Sequence, residues 1–391
     1  MAAITSSVTT AGQDTGPGVS REPETSVSFL RGSGRGRYTF EVQSALTLQT
    51  TGQDIGPIDI KAYDYMRSIG LYVQCTTAGS GTATSVYAAD GPFNALTYVR
   101  VKQPNGQTMF SVTSGQHLAM IHKHGFYRQN NDPAASINYT ATAGTAPTFS
   151  FYLRIPFELD LRDALGALPN KDAAAPFTLE LGLNTLANVF STAPGTSPTI
   201  KITPVLEAYD QPPETLDGKP VETTPPNMNT LQRWTEQSVT LVQGAFDARV
   251  RKLGNYVREL VFISKNSSLA RIDTNGWSDP QQIVLDEDVK DNLPQFLWEQ
   301  DIYEVWGYGG AVPNGAVIGR ADVANGQSIG VWPYQYCVNE RDAGVEDAAL
   351  YLPTIESEDY ILRGQNWGSA VSKLVILKCE VLPRGDIFGD A

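Results

Sequence analysis

The stretch 210–229, DQPPETLDGKPVETTPPNMN, carries five prolines (Pro212, Pro213, Pro220, Pro225, Pro226), Gly218 and no apolar period. Proline has no backbone donor and a fixed φ, so the segment is excluded from helix interiors and central strands. It reads as an extended, solvated linker. Before it lie 209 residues and after it 162. Setting aside the first 36 leaves two segments of similar length, each of ordinary domain size. The expected layout is an N-terminal arm (1–36), a first domain (37–209), the linker (210–229) and a second domain (230–391).

Residues 1–36 are rich in Gly, Ser and Thr and poor in large apolar side chains, too little to offset the entropy of ordering. The arm is expected to be flexible. Its end, RGSGRGR, sets Arg31, Arg35 and Arg37 on a glycine-rich backbone, which suits phosphate head groups or an acidic neighbour. A solubilising basic tail is the plainer reading.

From Tyr38 the texture turns to short β-type runs. Segments 39–48, 69–76, 95–101 and 107–112 fit strands, and Pro104-Asn105-Gly106 between the last two is a hairpin signal because Asn-Gly supplies positive φ. Phe149, Phe151, Leu153 and Ile155 alternate with polar residues, as do Phe177, Leu179, Leu181 and Leu183, so one face of each strand is buried. Thr113-Ser114 caps a helix in which Leu118 and Ile121 share a face and Gly125 ends it. A second short helix is expected over 160–168, stopped by Pro169. In the second half, 238–242, 256–264, 282–285, 330–338 and 371–382 read as strands and 293–306 as a helix. The order of elements repeats although the residues do not. Helices this sparse disfavour a parallel sheet; the expected fold is all-β, a structural duplication of antiparallel sandwiches or jelly rolls of about eight strands each.

Composition narrows the function. A net charge of −13 and a pI near 4.7 oppose a nucleic-acid surface, which needs clustered Lys and Arg. Cys75, Cys337 and Cys379 are odd in number and widely spaced, which excludes a disulfide framework and a Cys-based zinc site; buried reduced thiols are expected. No run approaches a membrane span and the N-terminus has no signal-peptide pattern, so synthesis in the cytoplasm is expected and the sequons at Asn138 and Asn266 carry no weight.

Candidate chemistry is thin. His117, His122 and His124 fall within eight residues, but their helical spacing parts His122 from the other two and no carboxylate completes a zinc motif. They read as surface or interface histidines. Asp286, Glu287, Asp288 and Asp291 could gather a cation, and Asp273-Thr-Asn-Gly-Trp-Ser-Asp279 matches only the start of a calcium loop; solvated turns and a helix dipole satisfy the same acids. No nucleophile elbow, Walker loop or dinucleotide fingerprint occurs. No catalytic residue, cofactor or metal site is expected.

Several segments carry a family likeness. Gly91-Pro-Phe-Asn-Ala-Leu, the Asn105-Gly106 hairpin, Ser114-Gly-Gln-His117-Leu118 opening a helix, Phe151-Tyr-Leu-Arg-Ile-Pro156 and Gly330-Val-Trp-Pro-Tyr-Gln-Tyr-Cys337-Val-Asn-Glu-Arg-Asp342 stand in an order that resembles the double jelly-roll major capsid proteins of tectivirus-like tailless, membrane-containing bacteriophages. The resemblance implies two consecutive eight-stranded jelly rolls and a homotrimer whose six rolls form a pseudo-hexagonal capsomer. Such capsomers tile an icosahedral virion shell around an internal membrane and double-stranded DNA. It implies minor capsid or vertex proteins as further partners, assembly in the host cytoplasm, and an arm facing the membrane or a neighbouring subunit through Arg31, Arg35 and Arg37. Trp298, Tyr303, Trp306 and Tyr308 suit a subunit interface. Two other classes share the β texture: a glycan-acting amidase or lectin on two jelly rolls, and a phage spike or receptor-binding protein.

Overall fold

Period-two alternation puts every second side chain on one face of a strand, and turns rich in Gly, Pro and Asn fold such strands against each other. The computed structural model describes residues 26–77, 85–88, 90–125, 138–140, 148–159, 164–226, 230–251, 253–271, 280–306, 330–336, 351–366 and 371–383. In the first half run β1 (Arg35–Thr39), β2 (Gln53–Asp59), β3 (Tyr65–Thr77), β4 (Leu96–Lys102), β5 (Thr108–Val112), helix α1 (Gly115–His124), β6 (Thr148–Pro156), β7 (Thr178–Leu183) and β8 (Thr199–Tyr209). In the second run β9 (Thr230–Thr240), β10 (Gly244–Arg249), β11 (Tyr256–Lys265), β12 (Gln281–Leu285), β13 (Asp288–Leu293), helix α2 (Gln295–Trp306), β14 (Val331–Gln335), β15 (Tyr360–Asn366) and β16 (Lys373–Pro383).

Pairing is antiparallel throughout these strands. The first half forms sheets β1-β8-β3-β6 and β2-β7-β4-β5; the second forms β9-β16-β11-β14 and β10-β15-β12-β13. Adding eight to each first-half strand number reproduces the second half, and each helix follows the fifth strand of its set. The duplication is therefore one of topology, and each unit is an eight-stranded jelly roll. Short strands Gln43–Thr47, Asn138–Thr140, Leu168–Pro169 and Leu352–Pro353 extend the sheet edges.

In the first roll Phe151, Leu153 and Ile155 of β6 face Leu179, Leu181 and Leu183 of β7 across one core. The second roll buries Leu260, Phe262, Trp298, Trp332, Leu374 and Ile376 between its sheets. The other face of its sheet β9-β16-β11-β14 is apolar as well: Trp234, Val261, Ile263, Val375 and Leu377 join the first roll's cluster. β11 is consequently buried at every position from Val257 to Lys265. One continuous apolar layer binds the two rolls side by side.

The capped helix and the hairpin form as their residues dictate: the Ser114 side chain accepts from the Gln116 amide, Gly125 closes α1, and Gly106 takes φ 83°. Cys75 and Cys379 are buried, and burial pushes their thiols up to about 11 and about 12; Cys337 lies outside the described residues.

Four expectations are corrected. The arm is not flexible to Gly36: Val27 bridges Val221, residues Phe29–Gly32 make a helical turn, and β1 begins at Arg35. Phe29 supplies the anchor, 1% exposed, meeting Tyr65 and Tyr209 edge-on at 5.2 and 5.9 Å; residues 1–25 lie outside the described part. The linker is not simply extended. Thr215–Leu216 and Lys219–Pro220 pair as a hairpin around Asp217 (φ 52°) and Gly218 (φ 77°), and Pro220 sits on a strand edge, where its missing donor is tolerated. The helix expected over 160–168 is absent from its described part, because Ala164 and Gly166 take positive φ and Leu168 pairs with β3. Trp298 does not face a neighbour: it is 2% exposed and packs against Phe262, while Tyr308 and the side chains of Tyr303 and Trp306 lie outside the described residues.

Candidate functional site

The chemistry-bearing residues concentrate where the second roll's sheet covers α1. All ten residues of α1 are buried, so its unpaired terminal groups must find partners in protein. The second roll supplies them with opposite charges. At the N-terminus the Glu236 carboxylate on β9 accepts from the Thr113 amide at 2.8 Å, from the Thr113 hydroxyl, and from His117 Nδ1 at 2.9 Å. At the C-terminus Arg258 on β11, fully buried, donates through Nη2 to the Gly125 carbonyl at 2.9 Å and through Nη1 to Gln232 Oε1 at 2.7 Å. An anion at the amino end and a cation at the carboxyl end both complement the helix dipole. Gly125 leaves no slack: a Cβ there would lie 2.5 Å from Trp234 Cζ2.

Burial opposes ionisation of Glu236, but the bonds from His117 and Thr113 prevail and hold its carboxyl down at about 2. Burial pushes His117 below its ordinary value against the pull of Glu236, so the neutral ring donates Nδ1–H. His124 is held well below its ordinary value by burial and then by the Lys123 charge.

Beside this clamp, Asp90 receives Arg271 Nε at 2.6 Å and stands 3.6 Å from Lys265 Nζ. Burial opposes the Asp90 charge, yet the two cations keep its carboxyl below the ordinary range. A polar cleft of about 420 Å³ opens here, lined by Asp90, Thr113, His117, Lys265 and Lys373 among others.

The three histidines are not surface residues: His117, His122 and His124 are 3%, 6% and 2% exposed. The reason is α1's position between two rolls, which a helix read alone does not disclose. Among the described residues no group of three or more His, Cys, Asp or Glu could hold a metal ion. Asp286 accepts from the Glu358 and Asp359 amides at 2.8 and 2.9 Å, the role of a turn acceptor, and Asp288 is 3.3 Å from Lys290. Asp273 to Asp279 lie outside the described residues.

The arm arginines are not gathered into one site. Arg37 Nε lies 3.1 Å from Glu207, and the Arg35 guanidinium lies over the Tyr209 ring at 5.6 Å; Arg31 ends the helical turn and is exposed. Glu207 also takes Arg154 at 3.1 Å and the Ser68 hydroxyl at 2.7 Å, so Arg37 and Arg154 meet on the outer face of sheet β1-β8-β3-β6.

The junction carries a pH signature. In the unfolded chain His117 and His124 bind a proton near 6.5, whereas the folded chain resists it, so stability is complete above that value and falls as pH drops below it. Glu236 and Asp90, depressed in the fold, add a further loss below 4.5 and 3.8. The melting temperature is expected to be level from about pH 7 to 8, to decline between 6.5 and 5, and to fall again near pH 9, where the unfolded thiols ionise and the buried ones resist it. His117→Asn, whose amide can still donate to Glu236, should make that decline shallower. Parallel slopes for the variant and the parent in a pH series of thermal melts would contradict this.

No family profile matches the chain, and no curated protein matches it in sequence. Solved structures do match. The STIV major capsid protein covers 92% of this chain with 100% of its own at TM-score 0.56 and 13% identity. The PBCV-1 virus capsid protein covers 90% with 94% of its own at TM-score 0.58 and 12% identity. The major capsid protein P2 of bacteriophage PM2 covers 90% with 98% of its own at TM-score 0.50 and 10% identity. With sixteen strands in two identical orders, joined through a buried helix, this chain has the double jelly-roll fold found in those capsid proteins.

Proposed function

We propose that the chain is the major capsid protein of an icosahedral virus, three copies forming a six-lobed capsomer that tiles the shell around an internal membrane and double-stranded DNA. The observation that carries this reading is the packing of two topologically equal rolls against each other through one apolar layer, because three such pairs supply six similar lobes from three chains. The fold likeness points the same way. The charged groups at the junction spend their bonding on each other, Glu236 on α1 and Asp90 on Arg271 and Lys265, which suits a structural element better than a glycan-acting or catalytic cleft. Further partners would be minor capsid or vertex proteins and, through residues 1–25 and the exposed Arg31, the membrane. The protein would reside in the virion after assembly in the host cytoplasm. Light scattering on the purified protein is expected to give the mass of three chains at micromolar concentration, as an obligate interface of about 2,000 Å² or more requires. A stable monomer under those conditions would overturn the proposal.

A further inference from the structure

One row of side chains at the junction carries more positive charge than its surroundings balance. Lys373 on β16 stands directly opposite Lys265 on β11, and Lys265 in turn bridges Arg271. Opposite residues of an antiparallel pair share a face with their Cβ atoms about 5 Å apart, and like charges so placed repel. The row lies on the face of sheet β9-β16-β11-β14 that is turned to the first roll, because Ile263 and Val375, each two positions along its strand, belong to the first roll's core cluster.

The first roll brings Asp90 to these cations. One of its carboxylate oxygens takes Arg271 Nε at 2.6 Å and the other stands 3.6 Å from Lys265 Nζ, so both are engaged. Glu236 is spent on Thr113 and His117. Lys373, half-buried, forms no ion pair among the described residues. Charges withdrawn from water are ordinarily paired. Here the surplus stands on the wall of the cleft of about 420 Å³, which Lys265 and Lys373 of the second roll line together with Thr113 and Ser114 of the first. The Ser114 oxygen accepts from the Gln116 amide, which leaves its hydroxyl proton to donate.

We infer that this cleft is a binding site for a phosphate group, held by the ammonium groups of Lys373 and Lys265 and by the Ser114 hydroxyl. A tetrahedral phosphate carries enough charge and enough acceptor oxygens to meet donors from both walls, and lysine binds it as a point charge. The volume leaves room for a small organic group esterified to the phosphate, so the occupant is free phosphate or a small phosphate monoester. Because its walls come from both rolls, the occupied site braces the junction. It needs one chain only and is independent of the capsomer reading.

The test compares the purified protein in sodium phosphate, sodium acetate and sodium chloride of equal ionic strength. Phosphate at about 10 mM is expected to raise the melting temperature by about 3–6 °C over chloride, saturably. Lys373→Met, which keeps the length and removes the charge, should melt no lower than the parent in chloride, since it relieves the repulsion from Lys265, and should lose the response. Its affinity for phosphate in calorimetric titration is expected to fall by about tenfold or more. Lys219→Met, on the exposed linker hairpin, should respond like the parent. Titration with glycerol 3-phosphate separates the two sources: tighter binding than inorganic phosphate assigns the site to an ester, and weaker binding assigns it to the free anion. A parent that gives no binding heat with either probe would overturn the inference, as would a Lys373→Met variant stabilised by phosphate as much as the parent. Acetate that stabilises as well as phosphate would overturn the assignment to a phosphate group.

Discussion

Arg258→Met is expected to lower the melting temperature by on the order of 10 °C and to split a single thermal transition into two. Methionine retains much of the side chain's length, so the cavity is small. What disappears is the pair of donors to the Gly125 carbonyl and Gln232 Oε1, and both acceptors then face a dry junction. Leaving a buried acceptor unsatisfied costs about 1–3 kcal/mol for each group, and each kcal/mol moves the midpoint of a domain this size by about 2–4 °C. The loss falls on the contact between the rolls rather than on either core, because Arg258 lies on the face of β11 turned towards α1. Each roll keeps its own apolar interior and should therefore melt separately in calorimetry. Glu236→Gln, which keeps the shape and removes the charge at the other end of α1, is expected to act in the same direction with a smaller effect. A variant at Arg258 that melts with the parent in one transition would show that the apolar layer alone holds the rolls together.

Removal of residues 1–25 is expected to leave the melting temperature within about 1 °C, and removal of 1–36 to lower it by roughly 10 °C. The first cut takes a segment too poor in apolar side chains to belong to a core. The second takes Phe29 from between Tyr65 and Tyr209, the bridge from Val27 to Val221, and the first two residues of β1, which pair with Ala208 and Tyr209. Truncating one buried Phe costs about 3–5 kcal/mol, and the exposed edge of β8 adds to it. Phe29→Ala in the full chain separates the anchor from the strand and should account for at least half of the shift. If the two truncations melt alike, the docked segment contributes nothing to the fold.

The boundary between these two cuts shows what was legible in the sequence. Low apolar content marks the leader correctly where there is no anchor, but a single phenylalanine fixes the chain eight residues before the expected boundary, and composition averages over it. The hairpin at Asn105-Gly106, the α1 caps and the strands β6 and β7 follow from local rules, since their turns and alternation need no distant partner. β8 is harder to see because Pro204 interrupts it; the proline is tolerated because it falls between the two strands that pair there, Arg35–Thr39 and Gln43–Thr47, where the partner chain is broken at Glu41 with φ 33°. The junction was far less legible. Glu236 and Arg258 look like ordinary solvent-facing charges on strands, and the groups they meet at the two ends of α1 lie more than a hundred residues away in sequence. One signal did exist: residues 257–264 of β11, VRELVFIS, lack the clean polar alternation of β6, the pattern of a strand covered on both faces. Trp298 misleads for the opposite reason. Aromatic residues serve cores and interfaces alike, and only packing decides between them.

Electron cryomicroscopy of the purified protein tests whether three chains build one particle from six equivalent rolls. Views down a three-fold axis are expected to show six lobes of similar size around a ring, two contributed by each chain and joined through α1. Isolated two-lobed particles, or rings in which the lobes of one chain sit apart, would contradict it.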